Sequence, residues 1–370
     1  MKRIGVIINP IAGVGGQAGY KGSDDAEMRR RAMDAGYKKN AALRAAECLQ
    51  VLKNLNGYHV IAPVGEMGGD MLSSLGIEYE GLECCQRVTT CEDTKRCAGI
   101  YKKLGVDLVV FCGGDGTARD ICEVLSNQIP VLGVPAGVKM YSACFSINPY
   151  LAGEILRDYI LGHPFSCEMR EVMDIDEKQL GIYCISPHLY GYLLVLNARA
   201  RLQMAKSVST ASPDETDAMA SYFASEMGNN ILYIVGPGST TYKIKQKCCG
   251  TGSLLGVDAI INGKMVAKDT NENTLFSLVE KMEQAVIIVT CIGGAGFVFG
   301  RGNQQISPRI IRKVTKGNIW LAVTKEKLAE LMGRPMLVDT GEPETDRYLS
   351  GYYIVKFNSH EAATYKIDAI

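Results

Sequence analysis

Apolar residues recur along this chain in two rhythms. Short runs rich in β-branched residues and bounded by turn formers, at Arg3 to Ile8, Tyr58 to Ala62, Val106 to Cys112 and Pro130 to Val134, read as buried strands. Between them, apolar residues at helical spacing predict helices over Asp24 to Leu55, Met67 to Leu75, Glu92 to Leu104 and Thr117 to Leu125. Strands alternating with helices give parallel βαβ units with right-handed crossovers. Open sheets of this kind bind ligands at the carboxyl ends of their strands.

From Phe165 to Arg201 the helical period fades and extended stretches replace it, at Gln179 to Ser186 and Tyr190 to Leu196, so a small β-rich unit is expected. Ser212-Pro213-Asp214-Glu215 is a capping box with proline at the first helical position, opening a helix to Met227. A second alternation follows. Strands are expected at Ile231 to Val235, Val257 to Ile261, Ala285 to Thr290 and Asn318 to Val323, and helices at Glu272 to Met282, from Pro308, and at Glu326 to Leu331. The fold class is therefore α/β: a nucleotide-binding lobe over 1–150, the β-rich unit over 151–210, a second α/β-like lobe over 211–345 and a tail over 346–370. Ser207 to Asp217 is the expected exposed joint.

The residues Gly113-Gly114-Asp115-Gly116-Thr117 fall in a strand-to-helix turn, with Thr117 placed as N-cap. Three glycines there permit positive φ and close approach of the backbone to a ligand, and the N–H groups of the helix start suit an anion. A carboxylate inside a phosphate-binding turn would be repelled by its own ligand. Asp115 thus makes sense if it binds Mg²⁺ or takes the proton of a hydroxyl attacking a phosphoryl group. The plainer alternative is an Asx turn.

Other segments offer related chemistry. Asn9 to Gly16 follows the first strand, with Asn9 fixing the strand end and Gly13 in a loop over phosphates. Gly13-x-Gly15-x-x-Ala18 matches the dinucleotide fingerprint in letter, but Pro10, Gly19 and Gly22 delay the helix that the fingerprint requires. A Walker A sequence is absent. Gly137 and Lys139 follow the strand Pro130 to Val134, where a lysine would reach transferred phosphate as a point charge. Gly236-Pro237-Gly238-Ser239-Thr240-Thr241-Tyr242 is a strand, glycine turn and hydroxyl-rich helix start suited to an anion. Asp174 and Asp176 would share a strand face and hold a metal with nucleotide phosphates, against a solvated acidic turn with Glu171 and Glu177. Arg301, among the glycines around Phe297-Val298-Phe299, is free to clamp a phosphate or carboxylate; a hairpin with a buried aromatic pair is the alternative.

Composition narrows the partners. The 370 residues carry 40 basic and 40 acidic side chains, which argues against nucleic acid and against electrostatic docking on an acidic bilayer. No apolar run has membrane-spanning length, and Met1-Lys2-Arg3 leads straight into a strand, so a cytoplasmic location is expected. The 13 cysteines include no Cys-x-x-Cys, and Cys112, Cys122, Cys144 and Cys291 lie in apolar runs, where a reduced thiol acts as a small hydrophobe. The adjacent pairs Cys84-Cys85 and Cys248-Cys249 have no such explanation.

The Gly113 turn resembles the signature of NAD kinases, shared with diacylglycerol-type lipid kinases and more loosely with phosphofructokinases. Ile8 to Gly13, Pro135 to Ser142, Glu171 to Glu177 and Gly300 to Pro308 narrow the resemblance to the ATP-NAD kinase family, and to its branch that includes acetoin-catabolism protein X. The resemblance implies a kinase with ATP, or polyphosphate, and Mg²⁺, forming NADP from NAD, with its active site between the first lobe, of the family's three-layer type, and the rest. It implies that Gly113, Gly114, Gly116 and Thr117 hold donor phosphates, that Asp115 acts on the attacking hydroxyl, and that Gly238, Ser239 and Thr240 hold the dinucleotide, although sugar-phosphate isomerases grip phosphate with similar turns. Two departures stand out. The family's Asn-Glu pair is missing, with Asp176-Glu177 in its place, and the second lobe reads as α/β where NAD kinases have a β-sandwich-like domain. Another small hydroxylated acceptor, a non-catalytic nucleotide-binding regulator and a homo-oligomer all stay open.

Overall fold

The computed structural model describes residues 1–14, 16, 18, 40–86, 89–137, 140–174, 188–198, 201–202, 213–292 and 296–369. The chain divides into two compact units, Met1–Val14 with Lys38–Lys206, and Gly15–Tyr37 with Ser207–Ile370.

The first unit is built on a seven-stranded sheet ordered β3-β2-β1-β4-β5-β7-β6. Its strands are β1 (Lys2–Ile8), β2 (Tyr58–Pro63), β3 (Glu80–Leu82), β4 (Leu108–Gly113), β5 (Val131–Pro135), β6 (Cys167–Asp174) and β7 (His188–Leu196). The first five pair in parallel, as the alternation of strand and helix predicts. β4 runs between β1 and β5 with the helices Ala41–Leu49 and Asp115–Leu125 packed on it, so every one of its residues is buried, which is why it reads as an unbroken apolar run. The helix Cys91–Leu104 opens on a capping box of Thr90 and Asp93 and closes at Gly105, whose φ of +62° favours glycine. This helix lies close on the sheet: Tyr101 donates its hydroxyl hydrogen toward the carbonyls of Val6 (2.7 Å) and Ile61 (3.0 Å), and its ring occupies the space a side chain at Gly5 would need.

Two expectations change here, and a third falls outside the described residues. The long helix from Asp24 is seen only in part: residues 24–39 lie outside the described ones, and the rest forms a helix over Ala41–Leu49 followed by a 3-10 turn over Gln50–Asn54. The expected stretch Tyr190 to Leu196 forms β7, which pairs antiparallel with β6 and belongs to the first sheet, with Val195 beside Val131 of β5. Gln179 to Ser186 lies outside the described residues.

The second unit holds a nine-stranded sheet ordered β10-β9-β8-β11-β13-β15-β16-β14-β12. Its strands are β8 (Leu232–Val235), β9 (Asp258–Ile261), β10 (Lys264–Ala267), β11 (Ala285–Val289), β12 (Phe297–Phe299), β13 (Ile319–Leu321), β14 (Met336–Val338), β15 (Gly351–Lys356) and β16 (Ala362–Ala369). Parallel pairing of β8, β11, β13 and β15 gives the second α/β unit the sequence called for. The opening helix runs over Pro213–Ser225, while the capping Ser212 and most of the expected joint lie outside the described residues. Residues 346–370 are not a tail, since β15 and β16 pair antiparallel inside the sheet. Buried and exposed positions alternate along β15, and two of its side chains are buried. The glycine-flanked Phe297–Phe299 forms no hairpin, because β12 pairs in parallel with β14.

Among the described residues no helix is long and apolar enough to cross a membrane. A buried ion pair ties the second unit together. Lys245 and Asp258, both fully buried, meet at 3.1 Å, with Lys245 Nζ also donating to the carbonyls of Ser253 and Gly256 and Asp258 accepting from Ser253 and from the Asp269 N–H.

Candidate active site

Three chain segments meet at the carboxyl ends of β1, β4 and β5. After β1, Asn9 turns the chain: its Oδ1 accepts from Ile11 N at 3.2 Å and its Nδ2 donates to Thr117 Oγ1 at 2.9 Å. Gly13 then takes a φ of +77° against the Ala136 carbonyl oxygen, which a Cβ would strike. After β5, the N–H groups of Ala136 and Gly137 donate to the Gly113 carbonyl at 2.9 and 3.2 Å. A Cβ on Gly114 would sit 3.1 Å from the Gly137 Cα, and one on Gly137 only 2.8 Å from the Gly114 Cα. Glycine is demanded at both because two backbones touch.

This differs from the sequence expectation in mechanism. None of Gly113, Gly114 and Gly116 has positive φ. At Gly113 the reason for glycine is the Thr117 side chain, which fills the space of a Cβ. The helix runs over Asp115–Leu125 with Gly114 as its N-cap, so Thr117 lies inside the first turn and is not the cap. By construction the first N–H groups of this helix have no partner within it, and its positive end faces the turn.

Asp115 is buried at that helix start, and it has a structural task that the sequence did not reveal. Its Oδ2 accepts from Tyr141 N at 2.7 Å, and its Oδ1 accepts from Ser142 N at 3.0 Å and Ser142 Oγ at 2.6 Å. Ser142 Oγ also accepts from Met173 N at 3.0 Å, so the end of β6 is drawn to the same place. Asp174 follows Met173. Asp176, Glu177 and Lys139 lie outside the described residues.

The second unit carries the other candidates. Gly238, with φ of +128°, caps the helix Ser239–Cys249; Ser239 is exposed and Thr240 buried. Sequence reasoning missed Lys327, which is buried beneath this helix start and donates to Thr240 Oγ1 (3.3 Å) and Thr290 Oγ1 (2.9 Å). Burial pushes its ammonium below the ordinary lysine value. It comes from a short helix whose sequence, Lys325–Glu330, looks like a solvated one, so nothing local marks it. Arg301 is not free as expected: it is buried, stacks 4.6 Å from the Phe297 ring centre and pairs with Asp339 at 3.5 Å. Its desolvated charge is already answered by a carboxylate.

Glycine turns at the ends of parallel strands, with a helix start between them, define the class of α/β proteins that hold anionic ligands at the strand ends. The ATP-NAD kinase N-terminal domain matches residues 4–163 and the ATP-NAD kinase C-terminal domain residues 228–367. The chain therefore belongs to the ATP-NAD kinase family and is a kinase, of a family that phosphorylates NAD to NADP. No curated protein sequence matches it. Among solved structures, the UDP-GlcNAc 2-epimerase from Neisseria meningitidis bound to UDP-GlcNAc is 12% identical, with 91% of this chain and 76% of that chain covered and a TM-score of 0.24. A UDP-N-acetylglucosamine 2-epimerase is 10% identical, with 94% and 76% covered and the same TM-score. Likenesses this slight carry no argument.

Proposed function

We propose that this kinase transfers the terminal phosphoryl group of ATP, with Mg²⁺, to the 2′-hydroxyl of NAD. The observation that carries the reading is the close backbone approach of Gly13 to Ala136 and of Gly114 to Gly137, with Gly113 packed on Thr117, beside the start of the Asp115–Leu125 helix. Backbone N–H groups at the helix start suit phosphate oxygens, and bulk at any of these glycines would strike its neighbour and distort the turn that presents them.

Gly113, Gly114, Gly116 and Thr117 hold the donor phosphates, with Asn9, Gly13, Gly137 and Lys139 closing over them. Asp115 orients the attacking hydroxyl and takes its proton. Hydrogen bonds from Tyr141 N, Ser142 N and Ser142 Oγ lock one carboxylate orientation, which suits a positioned base. Mg²⁺ would be held by the donor phosphates with Asp174 and Asp176, neutralising charge on the transferring group. Gly238, Ser239 and Thr240, at a helix start, suit the dinucleotide.

The test supplies purified protein with Mg²⁺, NAD and either ATP or polyphosphate. NADP should form with ATP, while NAD lacking the 2′-hydroxyl should bind and not react, because only the nucleophile is gone. NADP from polyphosphate alone would overturn the choice of donor. Folded, ATP-binding protein that forms none would overturn the acceptor and point to another small hydroxyl compound.

A further inference from the structure

Cys84 and Cys85, whose adjacency the sequence left unexplained, converge on a third thiol. They lie in the loop after β3, and Cys97 projects from the helix Cys91–Leu104. The sulfur separations are 3.2 Å for Cys84 and Cys97, 3.6 Å for Cys85 and Cys97, and 3.8 Å for Cys84 and Cys85. Among the described residues this is the one group of three His, Cys, Asp or Glu side chains so gathered, and all three cysteines are free.

The loop is fastened where the thiols need it. Asp93, buried in the helix's first turn, accepts from the backbone N–H groups of Gln86 (3.2 Å) and Thr90 (2.8 Å). Arg96 pairs with Asp93 and donates to the Cys84 carbonyl, both at 2.7 Å. Neighbouring residues of an extended chain point to opposite sides, so turning both Cys84 and Cys85 toward one partner requires this bent, tethered backbone. Thiols are weak donors and weak acceptors, and gathering three gives little stabilisation by hydrogen bonding. A zinc ion bound to sulfur at about 2.3 Å in tetrahedral geometry separates its sulfurs by about 3.8 Å. The observed triangle needs to open by only about 0.6 Å at its shortest edge to reach that size.

We propose that Cys84, Cys85 and Cys97 bind a soft, thiophilic divalent cation of the zinc type through three sulfurs, with a fourth position open. Thiolate ligands select such ions over Mg²⁺. Binding replaces each S–H bond by a sulfur–metal bond and releases the proton to solvent, with no change of oxidation state. The partial exposure of Cys84 and Cys85 provides the way in. The bound ion would clip the loop after β3 to the helix that carries Cys97.

The test titrates reduced, tag-free, full-length protein with Co²⁺. A thiolate-to-cobalt charge-transfer band should saturate at one equivalent, disappear on adding Zn²⁺ and persist in excess Mg²⁺. Cys84→Ser and Cys85→Ser, at half-exposed positions that should tolerate the change, should each weaken binding by at least about tenfold. Cys248→Ser, on a different element, should leave it unchanged. No band in the folded reduced wild type would overturn the proposal, as would a band that survives the double Cys84→Ser, Cys85→Ser variant. A Cys84–Cys97 disulfide retained in reducing buffer, without cobalt uptake, would also overturn it and identify a redox pair.

Discussion

Replacing Asp115 by asparagine separates two roles that the structure superimposes. Oδ1 serves both Ser142 donors, so the asparagine oxygen should take that side and its amide nitrogen should face the Tyr141 N–H, where a 2.7 Å acceptor stood. One hydrogen bond to a charged acceptor is lost, about 1.5–3 kcal/mol of stability. If Asp115 is also the base, turnover should fall by about two to four orders of magnitude, well beyond what loosening the loop would produce. Ser142→Ala supplies the comparison. It removes the 2.6 Å hydroxyl bond to Asp115 and the acceptor of Met173 N, at a cost of about 1–3 kcal/mol, but leaves the carboxylate in place. Both variants should lose similar stability in denaturant unfolding, followed by probes in the first unit. NADP formation, measured below either unfolding transition, should fall less than about tenfold in Ser142→Ala and at least about a hundredfold in Asp115→Asn. Equal losses of turnover in the two would refute the base and leave Asp115 a tether for residues 141 and 142.

Gly114→Val should push apart the two turns that approach at the Gly137 Cα; at an overpacking cost of about 1–3 kcal/mol, calorimetry should show ATP binding weakened by roughly 10- to 100-fold. Wild-type affinity in the folded variant would show that phosphate binds elsewhere. Lys245→Met strands Asp258 as a buried charge and should cost about 3–5 kcal/mol in unfolding of the second unit, and a loss under about 1 kcal/mol would contradict the pairing. Lys327 has its folded value lowered by burial, so between that value and the ordinary lysine value the unfolded chain binds more protons and stability rises with pH. The stability of wild type minus that of Lys327→Met should therefore increase through that alkaline window, and a flat difference would show that the ammonium is not desolvated.

The sequence by itself determined β1, β2, β4, β5, β8 and β11 and the place of the Gly113 turn, because those depend on local signals. β4 is an unbroken apolar run, the Cys91–Leu104 helix carries its own capping box and terminal glycine, and Gly113 to Thr117 lies where a strand gives way to a helix. β15 carries a run of apolar residues of which Tyr352 and Ile354 stay exposed, so its place in the sheet is set by pairing with β13 and β16. Only the tertiary structure decided what each site residue touches. Asp115 finds its donors 26 and 27 residues downstream, Arg301 meets a carboxylate 38 residues away, and Lys327 reaches a threonine 87 residues before it. The glycines of the turn answer to Thr117 and to the Gly137 backbone, whereas the sequence pointed to a left-handed φ. The physical reason is common to all of these. Periodicity and capping are settled by neighbours within a few residues, whereas the partner of a buried charge, and the space left for a Cβ, are set by segments that only the packed sheet brings together.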